Sequence, residues 1–117
     1  MSHPVIHCEI GGHEAEKLKG FYADLFGWES IPAGPGYWLV APQDGGIGGG
    51  IMQATADMPR YVTVYVRVDG LEATLRRVAE LGGRVLVPPT DIPGVGAFAL
   101  FQDIEENIIG LMQMTTK

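Results

Sequence analysis

The stretch IGGHEAEKLKGFYADLFGW, residues 10 to 28, decides the fold, because a similar stretch, VDGLEATLRRVAELGGR, occupies residues 68 to 84. Each begins with an apolar strand residue, passes through glycine into a helical pattern, and stops at glycine. Such self-similarity at a fixed offset is the signature of a repeated supersecondary unit. The chain therefore contains an internal duplication.

The alignment of the two stretches fixes the offset between the copies. Glu14 aligns with Glu72 and Leu25 with Leu81, which gives shifts of 58 and 56 residues. Apolar residues recur at helical spacing from His13 to Phe26 and again from Leu71 to Leu81. Gly27 is expected to terminate the first helix as a C-cap, and Gly82 and Gly83 the second. The apolar spacing and the glycines that follow it predict one amphipathic helix in each copy.

Strand patterns surround both helices. Residues 4 to 10 alternate an apolar face with a face that carries His7 and Glu9, and Gly11 and Gly12 are expected to end this strand. The remaining predicted strands are Trp28 to Ile31, Tyr37 to Ala41, Ile47 to Met52, Tyr61 to Val68, Arg84 to Val87, Gly96 to Gln102 and Asn107 to Met114. The run GGIGGG predicts a tight turn or bulge where backbones approach closely, and PPTDIPGVG predicts a loop.

The predicted fold class is α+β, with two tandem βαβββ modules. The modules span residues 1–56 and 57–117 of a single domain, 1–117. One helix covers only one face of such a sheet. We therefore expect the modules to form a curved mixed sheet whose concave face lines a cleft, with the helices outside.

Composition excludes several kinds of partner. The net charge is -6, and no cluster of Lys and Arg marks a phosphate-binding face, so nucleic acid is not expected. No apolar run approaches the roughly 20 residues of a membrane helix. Cys8 is the only cysteine, which rules out an intrachain disulfide. A cytoplasmic protein that binds a small molecule is expected.

His7 and Glu9 are the candidate catalytic residues. Residues two apart on a strand project from the same face, roughly 6 to 7 Å apart. Glu9 could then orient the His7 imidazole and raise its basicity, as acid–base work requires. Three interpretations of His7 stay open: a hydrogen-bonded pocket-wall residue, a ligand-binding or proton-transferring group, and a metal ligand.

Further side chains are expected to line the cleft. Thr63 and Tyr65 share a face of one strand, and the Tyr65 phenol could hydrogen-bond a ligand. Aromatic and methionine side chains could supply an apolar lining for a flat organic molecule. The candidate ligand-binding residues are His7, Glu9, Trp38, Met52, Thr63, Tyr65, Phe98 and Met112.

The duplicated unit resembles the vicinal oxygen chelate superfamily, which includes glyoxalase I, bleomycin resistance proteins and extradiol dioxygenases. The resemblance is carried by His7 followed at family spacing by FYADLFG at 21 to 27, by VDGLEATLRRVAELGG at 68 to 83, and by DIEENIIGL at 103 to 111. It covers nearly the whole chain. In the last segment Ile104 and Glu106 replace the family's usual proline and glycine.

The resemblance also implies where a metal would be bound. Metal-dependent members take ligands from four positions, which correspond here to His7, Thr63, Gly110 and a position within Gly50 to Met52. Only the first offers a strong donor. Glu9 could join His7, but a divalent ion needs more anionic or imidazole donors than these two. No cofactor is therefore expected; a divalent metal, if bound, would use His7 and Glu9.

Two functions follow from these observations. The leading hypothesis is a small-molecule-binding glyoxalase/bleomycin-resistance-like protein without a complete metal site. The alternative is a metal-dependent lyase, isomerase or dioxygenase of the same superfamily, so whether the chain is an enzyme stays open. A homodimer is also plausible, because units of this shape can pair between chains as well as within one.

Overall fold

A computed structural model describes residues 2–115. The first module contains strands β1 (Val5–Gly12), β2 (Ser30–Pro32), β3 (Tyr37–Val40) and β4 (Gly48–Gln53) and helix α1 (Ala15–Phe26). The second contains β5 (Tyr61–Arg67), α2 (Leu71–Glu80), β6 (Arg84–Ile92), β7 (Gly96–Gln102) and β8 (Ile108–Met114). The predicted α+β class and the two tandem βαβββ modules are confirmed.

The two modules share one strand order. In the first module the hydrogen-bonded order is β2-β3-β4-β1, with β1 parallel to β4 and the other pairs antiparallel. In the second it is β6-β7-β8-β5, with β5 parallel to β8. The helix that follows the first strand of each module makes the crossover that a parallel pair requires.

By contacts, the chain forms two compact units that divide within β1 and β5. The first unit comprises residues 7–63, and the second comprises residues 2–6 and 64–115. In the first unit Ala15 and Ile51 are buried. The core of the second unit consists of Val68, Leu71, Leu75, Ala99 and Leu111. Among the described residues, neither helix is long and apolar enough to cross a membrane.

The N-terminus of each helix is hydrogen-bonded to a glutamine side chain from the last strand of its module. Neither N-cap residue makes a side-chain capping bond. Instead, the Ala15 N–H donates to Gln53 Oε1 at 3.0 Å, and the Leu71 N–H donates to Gln113 Oε1 at 2.8 Å. A side-chain oxygen thus satisfies one of the orphan donors of the first turn, as a cap would. The shared arrangement extends the duplication from the sequence to the hydrogen bonds.

Glycines account for the main differences from the predicted boundaries in the first unit. Gly11 and Gly12 do not end β1 as expected but pair in register with Met52 and Gln53. Gly27 does act as the C-cap of α1, with a left-handed φ of 71° and its N–H bonded to the Ala23 carbonyl at 2.9 Å. Strand pairing therefore keeps Gly11 and Gly12 within β1, although glycine is a weak strand former. Gly27, which has no strand partner, ends the helix as expected.

The segment predicted as a loop at 88 to 96 is largely strand. Pro88 and Pro89 lie inside β6, which runs to Ile92. Strand β6 is the outer strand of its module, and its pairing with β7 shifts register between Val85 and Thr90. Proline has no N–H to donate to a neighbouring strand. In an edge strand with bulges such an N–H has no partner in the sheet, so proline is tolerated there.

Candidate functional site

The candidate site in the first unit is a cluster of four polar side chains, which are Glu9 and three neighbours. His7 and Glu9 project from one face of β1, and their register partners on β4 are Gly48 and Gly50. The Tyr61 hydroxyl donates to Glu9 Oε2 at 2.5 Å, and the Tyr37 hydroxyl lies 3.0 Å from His7 Nε2. The structure therefore brings the two predicted residues together with two tyrosines.

Glu9 is buried, with 1% of its surface exposed. Burying a charged group without partners is costly, so the phenol that donates to it is a stabilising feature rather than an incidental contact. Tyr61 also lies 3.4 Å from Met52 Sδ, which places Met52 at the edge of the same cluster.

Both tyrosines stay protonated because of where they lie. Burial raises the pKa of the Tyr37 phenol, and the charge of Glu9 and a hydrogen bond to Glu9 raise that pKa further. The pKa of Tyr61 is raised by the same causes in the same order. The two phenols are therefore hydrogen-bond donors at physiological pH.

Glycines in the sheet make room for the tyrosine rings. A Cβ on Gly11 would collide with the Tyr61 ring, and a Cβ on Gly50 would collide with the Tyr37 hydroxyl. Both rings therefore lie directly over backbone, which is the close approach that glycine in a strand permits. The run GGIGGG was expected to form a tight turn or bulge where backbones approach closely, but its last three glycines lie in strand β4, and at Gly50 the approaching group is the Tyr37 side chain.

His7 is neutral in this setting. Burial lowers the pKa of its imidazole, since the charged form loses hydration. The ring is half-buried, in contrast to Glu9. At neutral pH it therefore has one protonated nitrogen and one that can only accept.

The other predicted ligand-binding residues of the first unit take different positions. Thr63 is 3% exposed near the end of the unit. Trp38 pairs in register with Ile51, and Lys19 Nζ lies 5.0 Å from the centre of its ring. Strand alternation thus puts Trp38 on the helix α1 face of the sheet, opposite to His7 and Glu9.

In the second unit, three predicted residues share one face. Tyr65 is 3% exposed, its ring centre lies 6.4 Å from that of Phe98, and Phe98 pairs in register with Met112. Tyr65 itself lies over Gly110, where an added Cβ would come within 2.6 Å of the ring. A tyrosine over a strand glycine therefore recurs in both units.

The residues present do not fit a metal ion. Within residues 2–115, no group of three or more His, Cys, Asp and Glu side chains is placed to hold one. At Gly110, where the resemblance implies a ligand, and at Gly50, which begins the range that it implies for another, a tyrosine fills the space into which a side chain would project. The carboxylate of Glu9 accepts from Tyr61, and His7 Nε2 is bonded to Tyr37.

A groove of about 710 Å³ opens in the first unit where α1 begins, and Tyr61 is among the residues that line it. Leu18, Phe21 and Val62 line it, with Lys17 and Arg60 among its polar residues. Phe21 and Val62 are 59% and 75% exposed, which is unusual for large apolar side chains that share one groove. This surface holds none of the predicted site residues.

Sequence reasoning missed Tyr37 and Tyr61. Each stands at the first residue of a strand and contacts groups that lie 30 and 52 residues away. The available signal was the glycine content of β4, since successive glycines in a strand leave space that a large side chain must fill.

The fold and the site together define an α+β protein of two βαβββ modules with a polar cluster on its first strand. The model of the Glyoxalase/Bleomycin resistance protein/Dioxygenase superfamily matches residues 5–111. The chain belongs to this superfamily.

Individual relatives agree with this assignment. A glyoxylase-like domain-containing protein of Didymella fabae is 32% identical over 117 residues, which cover 88% of this chain and 91% of the relative. A Mycobacterium tuberculosis protein named "Putative glyoxylase CFP32" is 34% identical over 83 residues, 71% of this chain but 32% of the relative. The chain thus spans about a third of the length of that curated relative.

A solved structure shows the same fold. A superfamily member from Vibrio splendidus 12B01 superposes with a TM-score of 0.63 at 14% identity, covering 97% of this chain and 100% of that one. At this identity the likeness concerns the fold alone.

Proposed function

We propose that the protein binds an organic small molecule beside His7 and does so without a metal ion. The observation that carries the proposal is the bonding of Glu9 and His7 to tyrosines: Tyr61 donates to Glu9, and Tyr37 contacts His7 Nε2. A metal would have to displace these partners from a carboxylate that is 1% exposed. Superfamily membership supports a ligand-binding role but does not define the ligand.

Other residues supply the proposed contacts. In the first unit these are Met52, which adjoins Tyr61, and Thr63. In the second unit Tyr65, Phe98 and Met112 share one face and remain candidates for ligand contacts within that unit. Because Glu9 is buried, it is proposed to act through Tyr37 and Tyr61 rather than by touching the ligand. Trp38 is not among the proposed ligand contacts, because it lies on the helix face of the sheet.

The alternative is a metal-dependent lyase, isomerase or dioxygenase in which His7 and Glu9 are ligands. The two side chains do project from one face of β1, so a rearrangement that released them from the tyrosines would start such a site. One set of measurements separates the two functions.

Calorimetric titration with Zn²⁺, Ni²⁺, Mn²⁺ and Fe²⁺ tests the choice, with metal analysis of the protein as purified. We expect no saturable binding that depends on His7. His13→Ala is the matched control, because His13 bonds the Met58 carbonyl at 2.8 Å, away from Glu9. Stoichiometric binding that is lost in His7→Ala and kept in His13→Ala would establish the alternative.

A thermal-shift screen of organic compounds tests the binding function itself. A ligand that binds the folded state raises the midpoint in proportion to the logarithm of its concentration. We expect aromatic compounds to stabilise the wild-type protein and to lose that effect in His7→Ala. The proposal is overturned if compounds raise the midpoints of both proteins equally or of neither.

A homodimer through the groove at α1 is also proposed. Phe21 and Val62 expose apolar surface there. A second copy of this chain is the proposed occupant, because the matched stretch is 32% of a curated relative, which is therefore long enough to contain more than one unit of this size. Light scattering should give a dimer that Phe21→Glu with Val62→Glu dissociates. Ile104→Glu, at a site 76% exposed in the second unit, is the control. A wild-type monomer contradicts the dimer.

A cytoplasmic location completes the proposal. Its support is Cys8, the only cysteine in the sequence, because disulfide-free chains are typical of reducing compartments. Cell fractionation with an antibody to the protein tests it.

A further inference from the structure

Another cavity of the first unit lies on the helix face of the sheet, opposite to His7 and Glu9. Its volume is about 310 Å³, at the lower end of the range of small-molecule sites. Cys8 and Ile10 line it, because alternation along β1 directs them away from the face of His7 and Glu9. Gly49 is the register partner of Cys8, and the lack of a side chain there leaves the cavity open.

Aromatic rings form one wall of this cavity. Phe26 and Trp28 both line it, with ring centres 5.3 Å apart. The Tyr22 ring stacks on Trp28, also at 5.3 Å between centres, and so supports it from α1. Phe26 is 58% exposed, which makes its ring accessible from solvent. Aromatic rings attract a cation placed over their faces.

Asp44 gives the cavity a negative charge. Among the described residues that line the cavity, it is the only one that is charged, since burial raises the pKa of the Cys8 thiol and keeps it protonated. The Gly46 N–H donates to the Gln43 carbonyl at 2.9 Å, and φ is 52° at Asp44 and 83° at Gly45. Positive φ at both central residues is typical of a type I′ turn. This turn holds Asp44 at the edge of the cavity.

The C-terminal end of α1 adds to the negative potential. Phe26 is the last residue of the helix, and the last turn contains no basic residue. The carbonyl end of a helix has a partial negative charge, which favours a cation nearby. The net charge of the whole chain, -6, acts in the same direction.

We propose that this cavity binds a small organic ammonium cation, with the ammonium group against Phe26 and Trp28 and beside Asp44. The aromatic wall, the carboxylate and the helix end all favour positive charge. The groove where α1 begins has the opposite character, because Lys17 and Arg60 line it. This inference goes beyond the proposed function, since the cavity lies on the other face of the sheet.

Choline and 3,3-dimethylbutanol test the role of charge, because they share one shape and differ in a quaternary nitrogen that replaces a carbon atom. Calorimetric titration at constant ionic strength measures both affinities. Choline should bind on the order of tenfold more tightly than the alcohol, as expected for a cation between aromatic rings and a carboxylate. Equal binding of the two probes, or no binding of choline, overturns the inference.

The fluorescence of Trp28 tests the place of binding. The chain has two tryptophans, so Trp38→Phe leaves Trp28 as the reporter. Choline should change this fluorescence with the affinity that calorimetry gives. Choline binding that leaves the fluorescence of Trp28 unchanged would place the cation elsewhere and contradict the proposal.

Matched variants test the carboxylate. Asp44→Asn removes the charge and keeps the turn, because asparagine also tolerates a left-handed φ. It should weaken choline binding by about twofold to fivefold, the range for an exposed charge, and leave the alcohol unaffected. Asp24→Asn is the control, since Asp24 is exposed on α1 and does not line the cavity. Equal effects of the two variants on choline contradict a role for Asp44.

Two further variants test the wall and the separation of the two sites. Phe26→Leu keeps an apolar side chain at an exposed position but removes the ring, so choline should bind more weakly while the alcohol does not. His7→Ala should bind choline as the wild-type protein does. Choline affinity that is kept in Phe26→Leu and lost in His7→Ala would assign the cation to the other face and overturn the inference.

Discussion

Replacing Tyr61 with phenylalanine removes one atom from the cluster and leaves the rest in place. The hydroxyl donates to Glu9 at 2.5 Å, while the ring lies over Gly11 and would remain there. A hydrogen bond to a charged group contributes about 1.5 to 3 kcal/mol, and Glu9 is too buried for water to replace it. We therefore expect Tyr61→Phe to lower the free energy of unfolding by about 2 kcal/mol.

Urea and thermal denaturation followed by circular dichroism measure this loss. For a chain of this size about 2 kcal/mol corresponds to a fall in Tm of about 8 °C. Tyr22→Phe is the matched control, because the ring of Tyr22 stacks on Trp28 at 5.3 Å, outside the Glu9 cluster. That change should stay within about 0.5 kcal/mol.

A double-mutant cycle with Glu9→Gln identifies the cause. If Tyr61 stabilises the fold by donating to the carboxylate, its removal costs less when the carboxylate is an amide. A loss in Tyr61→Phe that matches the control, or one that is unchanged in the Glu9→Gln background, would refute the account of the cluster.

Three further predictions concern the helix caps, the strand glycine under Tyr37, and His7. Gln53→Ala and Gln113→Ala should each destabilise the protein by about 1 kcal/mol in urea denaturation, because each removes the group that caps a helix; no loss in either would show that the helix ends need no cap. Gly50→Ala should lower the free energy of unfolding by about 1 to 3 kcal/mol, because the added methyl group displaces the tyrosine above it. Gly20→Ala, in α1 with open space around it, should raise the free energy of unfolding by about 0.5 to 1 kcal/mol. Equal effects of the two substitutions would contradict the packing described. The free energy of unfolding should fall as the pH drops below about 6.5. In that range the unfolded chain binds a proton at His7, whereas the folded chain does not until a lower pH, because burial lowers the pKa of the imidazole. His7→Gln should therefore reduce the dependence of the free energy of unfolding on pH.

The fold could be predicted from the sequence because its determinants are local and occur twice. The helical spacing from His13 to Phe26 and its copy after Leu71 specify both helices, and the strands around them follow from apolar patterns. Strand β6 was cut short in the prediction at Pro88, because a local pattern does not reveal that a strand will lie at the edge of its sheet, where proline is tolerated.

The candidate site was predictable only in part. His7 and Glu9 were found because period-two spacing places them on one face. Tyr37 and Tyr61 were not found, since their contacts span 30 and 52 residues and depend on strand register. Register also decides that Trp38 faces α1, and a shift of one residue would have reversed it.

A crystal structure of the protein grown in the presence of Zn²⁺ or Mn²⁺, with anomalous scattering recorded at the metal edge, examines the cluster most directly. The account predicts Tyr37 Oη within hydrogen-bond distance of His7 Nε2, Tyr61 Oη bonded to Glu9, and no anomalous peak beside them. An ion coordinated by His7 and Glu9 together with a third side chain, with the tyrosines displaced, would contradict it.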